Sequence, residues 1–128
     1  MFKVLIVDDA KYMREVLKNV LTQAEFEIIG EAEDGIQALE KYKELHPDIV
    51  TMDISMPNKD GIEALKDIIA YDPNANVVMC SAAGQQNLIL ESLKIGAKDF
   101  ITKPFQPITI IDSLSKNAFN NMRVQPAW

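Results

Sequence analysis

A chain of 128 residues has the size of one domain and can bury a core without disulfides or a structural metal. Its net charge of −6 argues against a general basic surface for nucleic acid or anionic lipid, and its 48% apolar and 25% charged residues are those of an ordinary globular protein. One Cys, Cys80, and one His, His46, exclude an internal disulfide, a Cys-based zinc site and a two-His metal motif, and no apolar run approaches the ~20 residues of a membrane span.

The first apolar run, Val4–Val7, reads as a strand; it meets Asp8-Asp9 too early for a secretory leader, so a reducing cytoplasm is the expected setting. Met13, Val16, Leu17, Val20 and Leu21 follow at helical spacing. Ile28–Ala32 is the second strand. Asp34-Gly35 opens a second helix with the stripe Ala38, Leu39, Tyr42 and Leu45, which His46-Pro47-Asp48 closes. The third strand, Ile49–Met52, runs into Asp53. Pro57 and Asp60-Gly61 then precede a helix marked by Ile62, Leu65, Ile68 and Ile69, with Asp72-Pro73-Asn74 after it. Val77–Cys80 is the fourth strand. Gly84 and Gly96 bracket a fourth helix whose stripe, Ile89, Leu90 and Leu93, is less regular. Phe100–Thr102 is the fifth strand, and Pro107 opens a last helix carrying Ile110, Ile111, Leu114 and Ala118. Residues 1–119 form the expected domain, and residues 120–128, which lack an apolar period, the expected tail.

The strand runs do not alternate strictly, which suits strands buried on both faces. Five strands alternating with five helices predict an α/β fold, a doubly wound parallel sheet with right-handed crossovers. In such a sheet ligands sit beyond the carboxyl ends of the strands. The polar residues there are Asp8 and Asp9, Asp53, Ser81 followed by Ala82, and Lys103 followed by Pro104; Glu31 and Glu33 are placed less sharply. Three clustered carboxylates repel one another, and a hard divalent cation, Mg²⁺ or Mn²⁺, relieves that. A carboxylate beside such an ion can attack phosphorus to give an acyl phosphate. Lys103, Ser81 and the backbone N–H of Ala82 would supply charge and donors to the phosphoryl oxygens.

These residues, in this order, resemble the receiver domains of bacterial two-component response regulators over essentially the whole chain, from Val4 to about Leu114. The stretches Ile6–Ala10, Val50–Ile54, Met79–Ala82, Gly84–Gln86, Gly96–Ile101 and Lys103–Pro107 are similar to the single-domain chemotaxis members of that family, especially those of Gram-positive, thermophilic and archaeal organisms. The resemblance brings a flavodoxin-like sheet of order 2-1-3-4-5. It makes Asp53 the phosphoacceptor, with Asp8, Asp9, Asp53 and the backbone carbonyl of Ser55 as metal ligands. It makes Ser81 the hydroxyl that moves toward the phosphoryl group, Lys103 the essential lysine on a cis peptide bond to Pro104, and Phe100 the aromatic switch. Ser55 and Ala83 match the positions that tune phosphoryl lifetime; both are small, implying little shielding and little help in placing water. The implied activity is a phosphorylation switch that catalyses only its own phosphorylation and dephosphorylation. The implied partners are a CheA-like histidine kinase as donor and the flagellar motor switch or a phosphatase as reader, with the protein a monomer that binds no nucleic acid or membrane. A phosphorelay carrier, or the receiver of a multidomain regulator, is the alternative within the family.

Each residue taken alone has a plainer reading. Asp8-Asp9 could cap a helix, Asp53 could form a turn before Pro57, Ser81 could be a loop hydroxyl, and Phe100 could simply pack. His46 reads as a helix-end residue, Cys80 as a small buried apolar group, and the methionines as core filler. Two other classes compete. A phosphatase of the haloacid-dehalogenase type needs a general acid two residues after its nucleophile, where this chain has Ser55. A flavodoxin-like electron carrier needs a phosphate-cradling loop where this chain has Asp8-Asp9.

Overall fold

The computed structural model describes the backbone of residues 1–123 and the side chains of residues 1–118. The elements run β1 (Lys3–Val7), α1 (Lys11–Gln23), β2 (Glu27–Ala32), α2 (Gly35–Leu45), β3 (Ile49–Asp53), α3 (Gly61–Tyr71), β4 (Val77–Ser81), α4 (Gln86–Ile95), β5 (Asp99–Thr102) and α5 (Pro107–Arg123). All strand pairs are parallel, in the order β2-β1-β3-β4-β5. This is the expected doubly wound sheet.

Successive strand residues point to opposite faces, so an apolar run fills two cores at once. Leu5 and Val7 of β1, Val50 and Met52 of β3, and Val77 and Met79 of β4 join α2, α3 and α4 on one face. Val4, Ile6, Ile49, Val78, Cys80 and Ile101 join α1 and α5 on the other. Each fully buried Leu, Ile or Met contributes about 1.5–3 kcal/mol of apolar transfer. The central strands therefore anchor the edge from which the polar residues emerge.

Local signals set the helix ends. Asp34 caps α2 by accepting from Gln37 N–H, and the Gln37 side chain accepts from Glu33 N–H in return. Asp60 caps α3 by accepting from Glu63 N–H. His46 closes α2 in the left-handed region at φ 50°, the helix-end role expected of it. Pro107 is the first residue of α5, as expected.

Two expectations need correction. Leu90 and Leu93 do not belong to the core: they are 58% and 38% exposed, while Ile89 and Ser92 carry the buried face of α4. And α5 does not stop at residue 119; its backbone hydrogen bonding carries it through Arg123. The rest of the expected tail, residues 124–128 with Trp128, lies outside the described residues.

Candidate functional site

The carboxyl ends of β1, β3, β4 and β5 converge, and with them the predicted residues. Asp8 and Asp53 are buried and Asp9 is exposed, and each of the three offers a carboxylate oxygen within 4.8 Å of the other two. Lys103 Nζ stands 3.2 Å from Asp8 Oδ2 and 3.2 Å from Asp53 Oδ1. The cluster of three carboxylates is thus touched by one ammonium, at two of its members, which leaves a surplus of negative charge that a hard cation suits. No nitrogen or sulfur ligand is offered by this cluster, which fits Mg²⁺ and not Zn²⁺.

The electrostatics follow from burial. Desolvation first, and the Asp8 charge second, push the Asp53 carboxyl up to about 6, against the pull of Lys103. Burial alone would lower the Lys103 ammonium, but Asp53 and Asp8 outweigh it and hold its pKa above the ordinary lysine value.

Asp8-Asp9 does not cap α1. Ala10 is the N-cap residue, and Asp8 Oδ1 accepts from Ala10 N–H at 2.9 Å. The carboxylate is thus oriented by the chain it precedes while its second oxygen faces Lys103. Glu31 and Glu33 do not join the cluster. Arg14 holds both at 3.0 and 3.6 Å, and Lys18 lies 2.8 Å from Glu31. The Lys18 contact keeps the Glu31 carboxyl below its usual range.

Ser81 is fully buried, and its Oγ has no hydrogen-bond partner among the described residues. An unpaired buried hydroxyl is unfavourable, so a group that brings an acceptor to it is stabilised there. Phe100, 40% exposed, lines a groove of about 450 Å³ together with Ser81, Ala83, Ile89, Leu90 and Leu93. Space between Ser81 and an outward Phe100 is what a coupled movement of the two requires. The Lys103-Pro104 peptide bond is cis. Cys80 is buried and its thiol pKa is pushed up by burial, which makes it the inert packing group expected. Met52 and Met79 are core filler, also as expected.

Two contributors had no role assigned from the sequence, although Gln85 lies in one of the stretches that carry the resemblance. Arg14, nearly buried on α1, donates from Nη1 to the carbonyl of Asp8 at 2.8 Å and so fixes the backbone of the acidic pair. Its only sequence signal is a charge beside the apolar stripe of α1. Gln85 sits at the β4–α4 loop; its Oε1 accepts from Ala82 N–H at 2.7 Å and its Nε2 donates to Ser55 Oγ at 2.9 Å. The expected phosphoryl donor Ala82 N–H and the lifetime position Ser55 are therefore joined by one side chain.

An acidic strand-end cluster faced by a lysine, on a sheet of this order, marks a receiver. The chain belongs to the family described as the response regulator receiver domain, whose model matches residues 4–115. Receiver domains bind Mg²⁺ at an acidic pocket, and the Asp8, Asp9 and Asp53 cluster is such a pocket.

Within the family the chain is similar to CheY proteins. It is 57% identical over 114 residues to the chemotaxis protein CheY of Thermotoga maritima, covering 89% of this chain and 95% of that one. It superposes on CheY in a CheX–CheY complex with BeF₃ and Mg²⁺ from Borrelia burgdorferi, with a TM-score of 0.87 and 42% identity, covering 90% of this chain and 87% of that one. It also superposes on the response regulator domain of Thermotoga maritima CheB, with a TM-score of 0.82 and 40% identity, covering 98% and 99%. Family membership sets aside the phosphatase and flavodoxin readings. Among the described residues no helix is long and apolar enough to cross a membrane.

Proposed function

We propose that this protein acts as a chemotaxis response regulator, phosphorylated on Asp53 by a CheA-like histidine kinase and read by the flagellar motor switch. The observation that carries the reading is the position of Lys103 Nζ, 3.2 Å from both Asp8 and Asp53. The same ammonium that lies against Asp8 and Asp53 in the resting state would hold a phosphoryl oxygen on Asp53.

Asp8, Asp9, Asp53 and the Ser55 carbonyl would hold Mg²⁺, which when bound offsets their charge and that of the incoming phosphoryl group. An Asp53 oxygen attacks the phosphorus of a kinase phosphohistidine; the N–P bond breaks as the O–P bond forms. Lys103 Nζ, Ser81 Oγ and Ala82 N–H take the phosphoryl oxygens. Ser81 moves inward to do so, Phe100 turns into the groove it leaves, and the surface of α4 and β5 changes affinity for its reader. Water later hydrolyses the acyl phosphate along a route flanked by Ser55 and Ala83. The chain catalyses only its own phosphorylation and dephosphorylation.

The Borrelia CheY complex supports both the Mg²⁺ site and a protein partner of the loaded state. The match to the CheB receiver favours one alternative, a receiver that serves a larger regulator. Acetyl phosphate with Mg²⁺ tests the central step: the wild type gains one phosphoryl group, and labelling that survives Asp53→Asn refutes the assignment. A pulldown with and without beryllofluoride against motor-switch and kinase peptides tests the output. Capture of a histidine phosphotransfer protein alone favours a relay.

A further inference from the structure

Gln85 ties together two loops that the sheet brings side by side. Ser55 follows β3 and Ala82 follows β4, and a single carboxamide bonds to both, at 2.9 and 2.7 Å. Ala82 N–H is one of the donors that the proposed phosphorylation requires. A backbone N–H makes one good hydrogen bond. Gln85 Oε1 and a phosphoryl oxygen therefore compete for the same proton.

We infer that Gln85 is a positioning residue that latches the unphosphorylated state, holding Ala82 N–H until a phosphoryl oxygen displaces it. The inference rests on the reading of Asp53 as phosphoacceptor. Three further observations place the latch on the path of the signal. Gln85 is the N-cap residue of α4, yet its side chain makes no cap bond to that helix and is committed to the two loops instead. Its backbone carbonyl accepts from Leu88 N–H and Ile89 N–H, so Gln85 is continuous with the first turn of α4. Gly84 beside it adopts φ 88° and has open space where a Cβ would stand, a conformation that leaves the loop room to swing. Releasing the carboxamide frees the start of the helix whose exposed Leu90 and Leu93 border Phe100.

The test uses the full chain with beryllofluoride and Mg²⁺ as the phosphoryl probe. Gln85→Ala removes the competitor, so the probe binds about three- to tenfold more tightly, the scale of one net hydrogen bond. Ser55→Ala removes one anchor of the latch; it tightens binding less, and adds nothing in the Gln85→Ala background. Amide hydrogen exchange gives a readout that general loosening of the fold would not reproduce. Without the probe, Ala82 N–H exchanges faster in Gln85→Ala than in the wild type, and with the probe bound the two are equal. Unchanged or weaker binding by Gln85→Ala, equal Ser55→Ala effects in both backgrounds, or unaltered Ala82 exchange overturns the latch while leaving Asp53 as phosphoacceptor. A wild type that binds no beryllofluoride, or binds it equally after Asp53→Asn, overturns the phosphoacceptor reading and the latch with it.

Discussion

Gly61 lies directly against the main chain of Asp53: a Cβ on Gly61 would stand 2.0 Å from the Asp53 carbonyl oxygen. Its N–H also donates to the carbonyl of Ile54 at 2.8 Å. The first residue of α3 is thus packed onto the peptide that carries the proposed phosphoacceptor. Gly61→Ala has to push the helix and the strand end apart. We expect a loss of about 1–3 kcal/mol of stability from overpacking and a drop in acetyl phosphate labelling on the order of tenfold from misplacing Asp53. Gly84→Ala is the contrast, since it meets backbone strain of about 1–2 kcal/mol and no clash. Urea midpoints and labelling rates check both; a Gly61→Ala protein that matches the wild type in each refutes the packing argument.

Asp53 should make the metal-free protein less stable as pH rises. Its carboxyl is raised from 3.8 to about 6 in the folded chain. Between those values the folded state holds a proton that the unfolded state has released, so stability falls as pH rises through that window and stays low above it. A shift of this size corresponds to roughly 2–3 kcal/mol. Asp53→Asn removes the effect. In EDTA it should be more stable than the wild type at pH 7.5, with the gap closing near pH 4. A gap that does not vary with pH would show that Asp53 does not titrate as its burial implies.

Lys103 and a divalent cation would draw on the same two carboxylates, because Nζ lies 3.2 Å from both Asp8 and Asp53. Lys103→Met should therefore bind Mg²⁺ as tightly as the wild type or several-fold more tightly, while beryllofluoride binding falls at least tenfold with the loss of a charged donor. Calorimetric titration of each ligand separates the two effects. Parallel losses of both would mean that the variant has disturbed the site as a whole.

Thr51 is fully buried in β3, and its hydroxyl has no partner among the described residues. Valine has the same shape without the polar group. Thr51→Val is expected to raise stability by about 1 kcal/mol, or a few degrees in Tm. A lower Tm would show that the hydroxyl is satisfied by a bridging group in solution.

β1, β3 and β4 could be read from the sequence because they are buried on both faces, and burial of that kind leaves an uninterrupted apolar signature; the edge strands β2 and β5 are only partly buried, a departure from the expectation of strands covered on both sides. Asp8, Asp53, Ser81 and Lys103 could be read because each immediately follows such a run, and topology then forces them together. The α4 stripe misled for a related reason: helical periodicity marks an apolar face but does not say what covers it, and Leu90 and Leu93 face outward. The roles of Arg14 and Gln85 were missed because they arise from tertiary approach. Arg14 reaches back to the carbonyl of Asp8, and Gln85 spans 30 residues of sequence to Ser55. No local pattern encodes either contact.

The distance along the chain between Asp8 and Lys103 is 95 residues, though their side chains touch. With Asp53 and Ser81 between them, the site draws on four of the five strands and cannot exist in any fragment of the sheet. A ligand held there binds only the complete fold and so opposes global unfolding. The loaded protein should accordingly be harder to degrade than the empty one, which makes the lifetime of the polypeptide itself a function of its signalling history.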